Sequence, residues 1–472
     1  MVFANLTFLY VFLPLNLLGY FALRRTEHRN VLLILFSLAF YAWGEPIWIG
    51  LLLCSSTVDY MHGRVIEAKR GTAWAKGAVV SSLVINLGLL GLFKYSQLAC
   101  VAVNDLLGTS LTAPEQLSLP IGISFYTFQT ISYVVDVYRG EVPAQRSFYK
   151  FLLFVSLFHQ LVAGPIVRYA HIASEIDSRQ HSVADVSAGI SRFCAGLFKK
   201  VCIANVAGQL VLQTLARDSV ELSVAEAWFG LLMFSLQIYF DFSGYSDMAI
   251  GLGRICGFHY HENFNYPYMA RSVREFWQRW HISLGSFFRD YLYIPLGGNR
   301  RRPYFNLMIV WALTGLWHGA SWNFMFWGLY FGVLIALERL FFGRVLEALP
   351  RAVSHVYLVF AVVVGWALFY FEDLDRLHDI LRVLFGASNQ AWSSPDLTPL
   401  IQDNALWLVL AVLLCAPVVP RLREGVAQIG SRYALGPTVM GAALAAINLG
   451  MLLIATAMLV GGTYNPFLYF RF

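Results

Sequence analysis

Apolar runs recur along the whole length of this chain, at 8–23, 31–53, 77–93, 118–135, 147–167, 186–216, 222–252, 305–317, 320–343, 354–371, 404–419 and 436–461. A hydrocarbon core about 30 Å thick takes roughly 20 helical residues to cross, so the pattern predicts an all-α integral membrane protein of about ten to twelve spans or partial spans. Hydrophobic residues make up 58% of the 472 and charged residues only 13%, against roughly 45–50% and about 25% in soluble domains. No polar stretch is long enough for a separate soluble domain, so residues 1–472 are expected to form one integral domain.

Several runs are interrupted. Gly44-Glu45-Pro46 is expected to divide 31–53 into a hairpin of two short helices, because proline ends a helix and glycine permits a turn. Leu119-Pro120-Ile121-Gly122 and Ala163-Gly164-Pro165 predict similar breaks. Irregular backbone at membrane depth survives only when buried in protein or lining a cavity. The expectation is therefore a bundle with short re-entrant or interfacial helices around an internal passage. Arg24, Arg25 and Arg29, and then Arg64, Lys69, Arg70 and Lys76, are assigned to the cytoplasm by the positive-inside rule. The start of the chain lacks the basic region of a signal peptide, so the first run is expected to remain as a span. The net charge of +6 belongs to these loops and gives no reason to expect nucleic acid. The six cysteines are scattered, with no C-x-x-C and no cysteine–histidine cluster, which predicts buried thiols and no metal site.

Three polar islands interrupt this apolar background. His318 stands in Leu313-Thr-Gly-Leu-Trp-His318-Gly-Ala-Ser-Trp322-Asn323, directly before an apolar run. Ionisable groups at membrane depth are costly and mark functional sites by default, and histidine is the usual proton-transfer group near neutral pH. Residues 271–302 set seven arginines against two acids and contain His281. Phe276, Trp280, Leu284 and Phe287 recur there at helical spacing, the pattern of an amphipathic helix lying at an interface or dipping into the membrane. Such a surface suits anionic membrane lipid or a phosphate-bearing donor that a guanidinium fork can grip. The third island is Gln237-Ile-Tyr239-Phe-Asp241-Phe-Ser-Gly244-Tyr-Ser-Asp247. Its two aspartates lie about 240° apart on a helix, so a carboxylate dyad requires a break at Gly244. The alternatives are hydrogen-bonding between helices or a carboxylate that orients a histidine. Gly244-Tyr-Ser246-Asp-Met lacks the last glycine of G-x-S-x-G, and nothing matches a P-loop.

A set of strings runs in order through nearly the whole chain. They are Phe40-Tyr-Ala-Trp-Gly-Glu-Pro46, Phe93-Lys94-Tyr95, Leu119-Pro-Ile-Gly-Ile-Ser-Phe-Tyr-Thr-Phe-Gln129, Asp136-Val-Tyr-Arg139, Gln160-Leu-Val-Ala-Gly-Pro-Ile166, Tyr239-Phe-Asp-Phe-Ser-Gly-Tyr-Ser-Asp-Met248, Phe276-Trp-Gln-Arg-Trp-His-Ile-Ser-Leu284, Arg289-Asp-Tyr-Leu-Tyr-Ile-Pro-Leu-Gly-Gly-Asn299, Gly315-Leu-Trp-His-Gly-Ala-Ser-Trp-Asn323 and Asn465-Pro-Phe-Leu-Tyr-Phe-Arg-Phe472. Together they resemble the membrane-bound O-acyltransferase family, and more narrowly its bacterial branch of alginate O-acetyltransferase membrane subunits. One departure is Phe158-His159-Gln160, where relatives usually read Phe-Pro-Gln.

The resemblance implies many transmembrane helices plus short re-entrant ones around a tunnel. It implies His318 as the central catalytic histidine and His281 as the second. It further implies transfer of an acetyl group from a cytoplasmic thioester, acetyl-coenzyme A or another, to a hydroxyl on the far side of a bacterial cytoplasmic (inner) membrane. No cofactor is tightly bound in this picture. An extracytoplasmic esterase-like acetyltransferase partner would complete delivery to an alginate-like or other exopolysaccharide, with peptidoglycan as the alternative acceptor.

Such a reaction needs a base, oxyanion donors and exclusion of water. His318 would take the proton of the accepting hydroxyl. Trp322, four residues on, would stack over the same helix face and wall the acyl pocket. Asn323 lies about 140° from His318 on an ideal helix, so it serves as an oxyanion donor only if the backbone bends at Gly319. His281 would orient the thioester or gate the mouth. Arg279, Arg289 and Arg300 would contact donor phosphates, and Tyr239 and Asp241 would line or orient the passage. Two rival classes stay open on the residues alone. A transporter or channel predicts translocation without covalent transfer; a non-catalytic assembly platform predicts that His318 variants still support acetylation.

Overall fold

A computed structural model describes residues 2–112, 119–161, 164–422 and 437–468, and every regular element within them is helical. Ala163 of the expected 163–165 break, residue 118 and residue 436 at the ends of apolar runs, and the last four residues of the chain lie outside the described residues.

Helices form where the apolar runs predict them, but fewer have the character of free-standing spans. Ala73–Leu107, Val183–Thr214, Trp322–Ala348, Arg351–Tyr370 and Thr438–Gly461 are long and apolar enough to cross a bilayer. Leu397–Asp403 and Ala405–Leu414 make a sixth if the pair, bent by 67°, is one span. The remaining runs give helices that are shorter or more polar, among them Phe8–Ala22, Ile123–Arg139 and Pro303–His318. The Gly44-Glu45-Pro46 break appears as expected. It separates helices of 19 and 20 residues, Thr26–Gly44 and Ile49–Ala68, so this hairpin is longer than two short helices.

The central element is Val224–Ile255, a 32-residue helix closed at its start by a reciprocal Ser223–Glu226 capping box. It carries Gln237, Asp241 and Asp247 yet is buried along nearly all of its length, because other helices surround it. The segment Val183–Phe198 crosses it at backbone contact. A Cβ at Gly196 would sit 2.5 Å from Gly244 O, and one at Gly251 would sit 2.7 Å from Gly189 O. Small residues allow that approach, as at membrane helix crossings generally. The helix runs unbroken through Gly244. Asp241 pairs with Lys200 at 2.7 Å, while Asp247 pairs with Lys199 at 2.6 Å and Arg192 at 2.7 Å. The aspartates thus stay on different faces, and no dyad forms.

The single amphipathic helix expected within 271–302 is not what the chain adopts. It breaks into Val273–Arg279 and Ile282–Phe288, with His281 in the left-handed region (φ 44°, ψ 54°). Asn263 draws the chain into that turn: its carbonyl accepts the Ile282 N–H at 3.0 Å, and its side-chain Oδ1 accepts the Ser283 N–H at 3.2 Å. Phe276, Trp280, Leu284 and Phe287 are all buried. Their apolar face therefore meets protein, not a lipid interface.

The chain also breaks at Leu157 (φ −46°, ψ 115°), between Phe148–Ser156 and Phe158–Leu161. No proline is needed there, because Ser37 Oγ accepts the Phe158 N–H at 3.0 Å. His159 is buried and shares a 2.6 Å hydrogen bond with Tyr260 OH. Basic residues meet at one end of the bundle. Arg70 donates to Val137 O at 3.2 Å, Arg139 donates to Asp290 O at 2.9 Å, and Arg168 pairs with Asp290 at 2.7 Å.

Candidate functional site

His318 is the last residue of the helix Pro303–His318. The backbone then extends at Gly319 (φ −164°, ψ 156°) and re-enters a helix at Trp322. Glycine is required along this corner by close approach. A Cβ at Gly315 would collide with the carbonyl of Phe324, and one at Gly319 with the Phe324 ring. The two helices therefore return on each other backbone to backbone.

That corner corrects two expectations. Trp322 belongs to the next helix, is 41% exposed, and stacks on Phe326 instead of on the His318 face. The backbone does bend at Gly319, the condition set for Asn323. The same bend turns the Asn323 amide away, so that Nδ2 donates to the carbonyls of Leu368 (3.1 Å) and Phe369 (3.4 Å). Those bonds tie the return helix to Arg351–Tyr370 and engage the donors an oxyanion would need.

The wall around His318 is built from other rings. Its imidazole, itself buried, lies 4.9 Å from the Trp317 ring, 5.0 Å from Trp327 and 5.4 Å from Phe369, each near edge-to-face. Trp327 continues into a layer with Trp277 at 5.4 Å and Trp366 at 6.3 Å. The Trp317 and Trp327 indole nitrogens are buried and have no hydrogen-bond partner among the described residues.

His281 approaches the same indole. Its ring is buried, 5.9 Å from Trp317 and 4.7 Å from Phe242. Its Nδ1 lies 3.1 Å from Asn263 Oδ1. That oxygen already accepts the Ser283 N–H and the Ser283 hydroxyl at 2.9 Å. Nδ1 is therefore the donor, and in the neutral ring Nε2 carries the lone pair. Two histidines far apart in sequence thus flank one tryptophan.

The other expected residues are placed differently. Tyr239 is buried in the aromatic layer, 5.4 Å from Tyr268 and 6.1 Å from Trp280. Asp241 holds the end of the chain: besides the Lys200 ion pair it accepts the Leu468 N–H at 2.9 Å, and Lys200 reaches the Pro466 carbonyl. The contacts of this carboxylate are thus anchoring ones, between the central helix and the segment at 466–468. Arg279 pairs with Glu275 at 2.7 Å, and Arg289 with Asp290 at 2.6 Å. Burial raises the Asp290 carboxyl, but hydrogen bonds from Arg289 and Arg168 outweigh it and hold the group below its ordinary value. Arg300 is exposed on a turn. Arg279 and Arg289 are thus each engaged by a nearby carboxylate.

A cavity of about 400 Å³ instead opens between Arg274 and Arg339, lined also by Tyr293, Asn299, Leu307 and Ile335. Arg339 donates to Tyr293 OH at 3.2 Å, which donates to Asn299 Oδ1 at 2.8 Å. Leu307 is on the His318 helix, eleven residues earlier, or about 16 Å at 1.5 Å per residue. Among the described residues no cluster of three or more histidine, cysteine or acidic side chains is arranged to hold a metal, and all six cysteines are free. Asn263, Trp327 and this cavity were missed from sequence. Asn263 offered no motif, and the arginines of the cavity come together only through folding.

The membrane-bound O-acyltransferase family model matches residues 141–376, which include both histidines. The chain is 40% identical to a probable alginate O-acetylase of Azotobacter vinelandii, over 89% of this chain and 84% of that protein. It is 36% identical to a probable alginate O-acetylase of Pseudomonas putida over the full length of both. A peptidoglycan O-acetyltransferase of Helicobacter pylori is 33% identical over 80% of this chain and 79% of that protein. The chain belongs to the membrane-bound O-acyltransferase family.

Proposed function

We propose that this chain works as one integral unit of a bacterial cytoplasmic membrane, enclosing a passage through which an acetyl group moves from a cytoplasmic thioester to a polysaccharide hydroxyl outside. The observation that carries the reading is the packing of His281 and His318 against the single indole of Trp317. The convergence of Arg70, Arg139 and Arg168 at one end of the bundle supports that end as cytoplasmic.

In this reading His318 takes the proton of the accepting hydroxyl as the new acyl C–O bond forms. The C–S bond of the thioester then breaks, and the imidazolium returns the proton to the departing thiolate. The Trp327 indole N–H donates to the carbonyl oxygen as charge develops on it, the task that Asn323 does not take. His281, its tautomer set by Asn263, presents Nε2 towards the reacting groups. The tryptophan layer excludes water, which would otherwise hydrolyse the thioester. Donor phosphates sit between Arg274 and Arg339, and an extended pantetheine arm covers the distance to His318.

The relatives favour an alginate-like acceptor, and the Helicobacter pylori relative supports peptidoglycan as a second acceptor; in this reading an extracytoplasmic esterase-like partner completes delivery. The test is reconstituted protein given a labelled acetyl thioester and acceptor polymer. Wild type transfers label to polymer and His318→Ala does not. Full transfer by a folded His318→Ala variant overturns the reading, and label crossing the membrane without covalent transfer would identify a transporter.

A further inference from the structure

The segment Phe93-Lys94-Tyr95 has no part in the chemistry above, yet it touches the end of the helix that carries His318. Gly91–Tyr95 is a π-helical turn within the long helix Ala73–Leu107. Its wider register turns two consecutive polar side chains towards one target. Lys94 Nζ donates to the carbonyl of Trp317 at 2.5 Å, and Tyr95 OH donates to the carbonyl of Leu316 at 2.6 Å. Lys94 is buried inside the bundle, and its ammonium lies 5.9 Å from the centre of the Trp317 ring.

The physical need is specific. A helix leaves its last four carbonyls without intrahelical donors, and this helix ends at His318. Buried, unpaired carbonyls are costly. The helix end also carries partial negative charge, which a cation complements. A hydroxyl or amide would satisfy one carbonyl, whereas an ammonium adds the matching charge. Among the described residues no carboxylate pairs with Lys94, in contrast to Lys199 and Lys200. The terminal carbonyl of Trp317 is thus its partner.

We propose that Lys94 and Tyr95 are positioning residues that clamp the terminal turn of the Pro303–His318 helix and so fix the imidazole of His318 and the indole of Trp317 in their reactive arrangement. The proposal rests on His318 being the base. The Phe93-Lys94-Tyr95 turn acts on the rate of acyl transfer and not on donor binding. Tyr95 contributes less than Lys94 because it holds the Leu316 carbonyl, one residue further from His318 than the Trp317 carbonyl that Lys94 holds.

The test uses full-length reconstituted protein, with acetyl-coenzyme A as donor, and the variants Lys94→Met, Lys94→Gln, Lys94→Arg and Tyr95→Phe. A misplacement of reacting groups by about 1 Å lowers rate by roughly a hundredfold. The expected results are a roughly ten- to hundredfold loss of kcat in Lys94→Met with donor KM within about twofold, partial rescue in Lys94→Arg, an intermediate loss in Lys94→Gln and a smaller one in Tyr95→Phe. Thermal unfolding of each variant is read in parallel. A folded Lys94→Met with wild-type kcat overturns the clamp. So does a rise in donor KM at unchanged kcat, or a loss of kcat that only follows a fall in melting temperature and is not rescued by arginine. The underlying reading fails separately: His318→Ala retaining transfer removes the base, whereas inactive His318→Ala beside fully active Lys94→Met removes only the clamp.

Discussion

Asn263 and His281 form a single unit: one amide oxygen accepts from His281 Nδ1 at 3.1 Å and from the Ser283 backbone N–H at 3.2 Å. The same side chain therefore fixes the tautomer of the histidine and holds the left-handed turn on which it sits. Its amide nitrogen is held in turn by Ser246 Oγ on the central helix, at 3.1 Å. Second-partner contacts of this kind orient functional histidines as metal ligands and in catalysis alike. Replacing Asn263 with alanine leaves the half-buried Ser283 N–H without this acceptor, a loss of about 1 kcal/mol. Turnover is expected to fall further than stability does, because the ring is also free to rotate. Comparison of thermal unfolding with the transfer rate of Asn263→Ala checks this.

Gly315 sits where the two arms of the His318 corner touch, and a methyl group there meets the Phe324 carbonyl. Backbone cannot yield as a flexible side chain can. Gly315→Ala is expected to destabilise by about 1–3 kcal/mol through overpacking and to lower activity by shifting His318. Gly285, where an added Cβ meets nothing within 4 Å, is the control: Gly285→Ala is expected to leave melting temperature and turnover near wild type.

Much of the architecture is legible in the sequence, for a physical reason. Apolar runs have to become helices in a bilayer, and glycine–proline breaks have to end them, so Gly44-Glu45-Pro46 separates two helices as expected. His318 stood out because an imidazole among apolar residues is unusual, and His281 because the arginine-rich string around it resembles a family motif. What sequence does not carry is the direction in which a side chain points beyond a corner. Trp322 and Asn323 follow His318 closely along the chain and were placed on its helix, but the extended Gly319 puts them on another. Residues 271–302 mislead similarly. Their helical periodicity is real, while the break at His281 comes from Asn263, a distant partner with no local signature. Asp241 and Lys200 show the same limit, since an aspartate in an apolar helix reads alike whether it lines a passage or anchors the end of the chain.

The Lys200–Asp241 pair gives a prediction of its own. Both side chains are nearly inaccessible, at 4% and 2% exposure. Removing one partner of a buried pair typically costs about 3–5 kcal/mol, because the other charge is left uncompensated. Lys200→Met is expected to be strongly destabilised, and adding Asp241→Leu is expected to recover part of that loss. Additive damage in the double variant, measured by thermal unfolding, would mean that Asp241 acts through some other contact.

Trp327 tests the oxyanion assignment. Phenylalanine keeps an aromatic ring in the wall but removes the indole N–H. Loss of one oxyanion donor typically lowers kcat by about a hundred- to thousandfold. Trp327→Phe is expected to lose turnover on that order with donor KM little changed. A loss below threefold at unchanged folding would exclude Trp327 as the donor.

The cavity between Arg274 and Arg339 separates donor binding from chemistry. If donor phosphates sit there, neutralising either arginine weakens a charge-assisted contact worth about 1.5–3 kcal/mol, which corresponds to a rise in donor KM of roughly ten- to hundredfold. Turnover at saturation is expected to change little, because the cavity lies about 16 Å along the helix from His318 at 1.5 Å per residue. Salt should weaken donor binding in wild type and do so less in the variants. The discriminating measurement compares acetyl-coenzyme A with acetyl-pantetheine, which lacks the phosphates. Arg274→Gln and Arg339→Gln should raise KM for the first and leave the second nearly unchanged. Equal effects on both donors would show that these arginines act on the fold of the 274–339 region, and the phosphate site would then lie elsewhere.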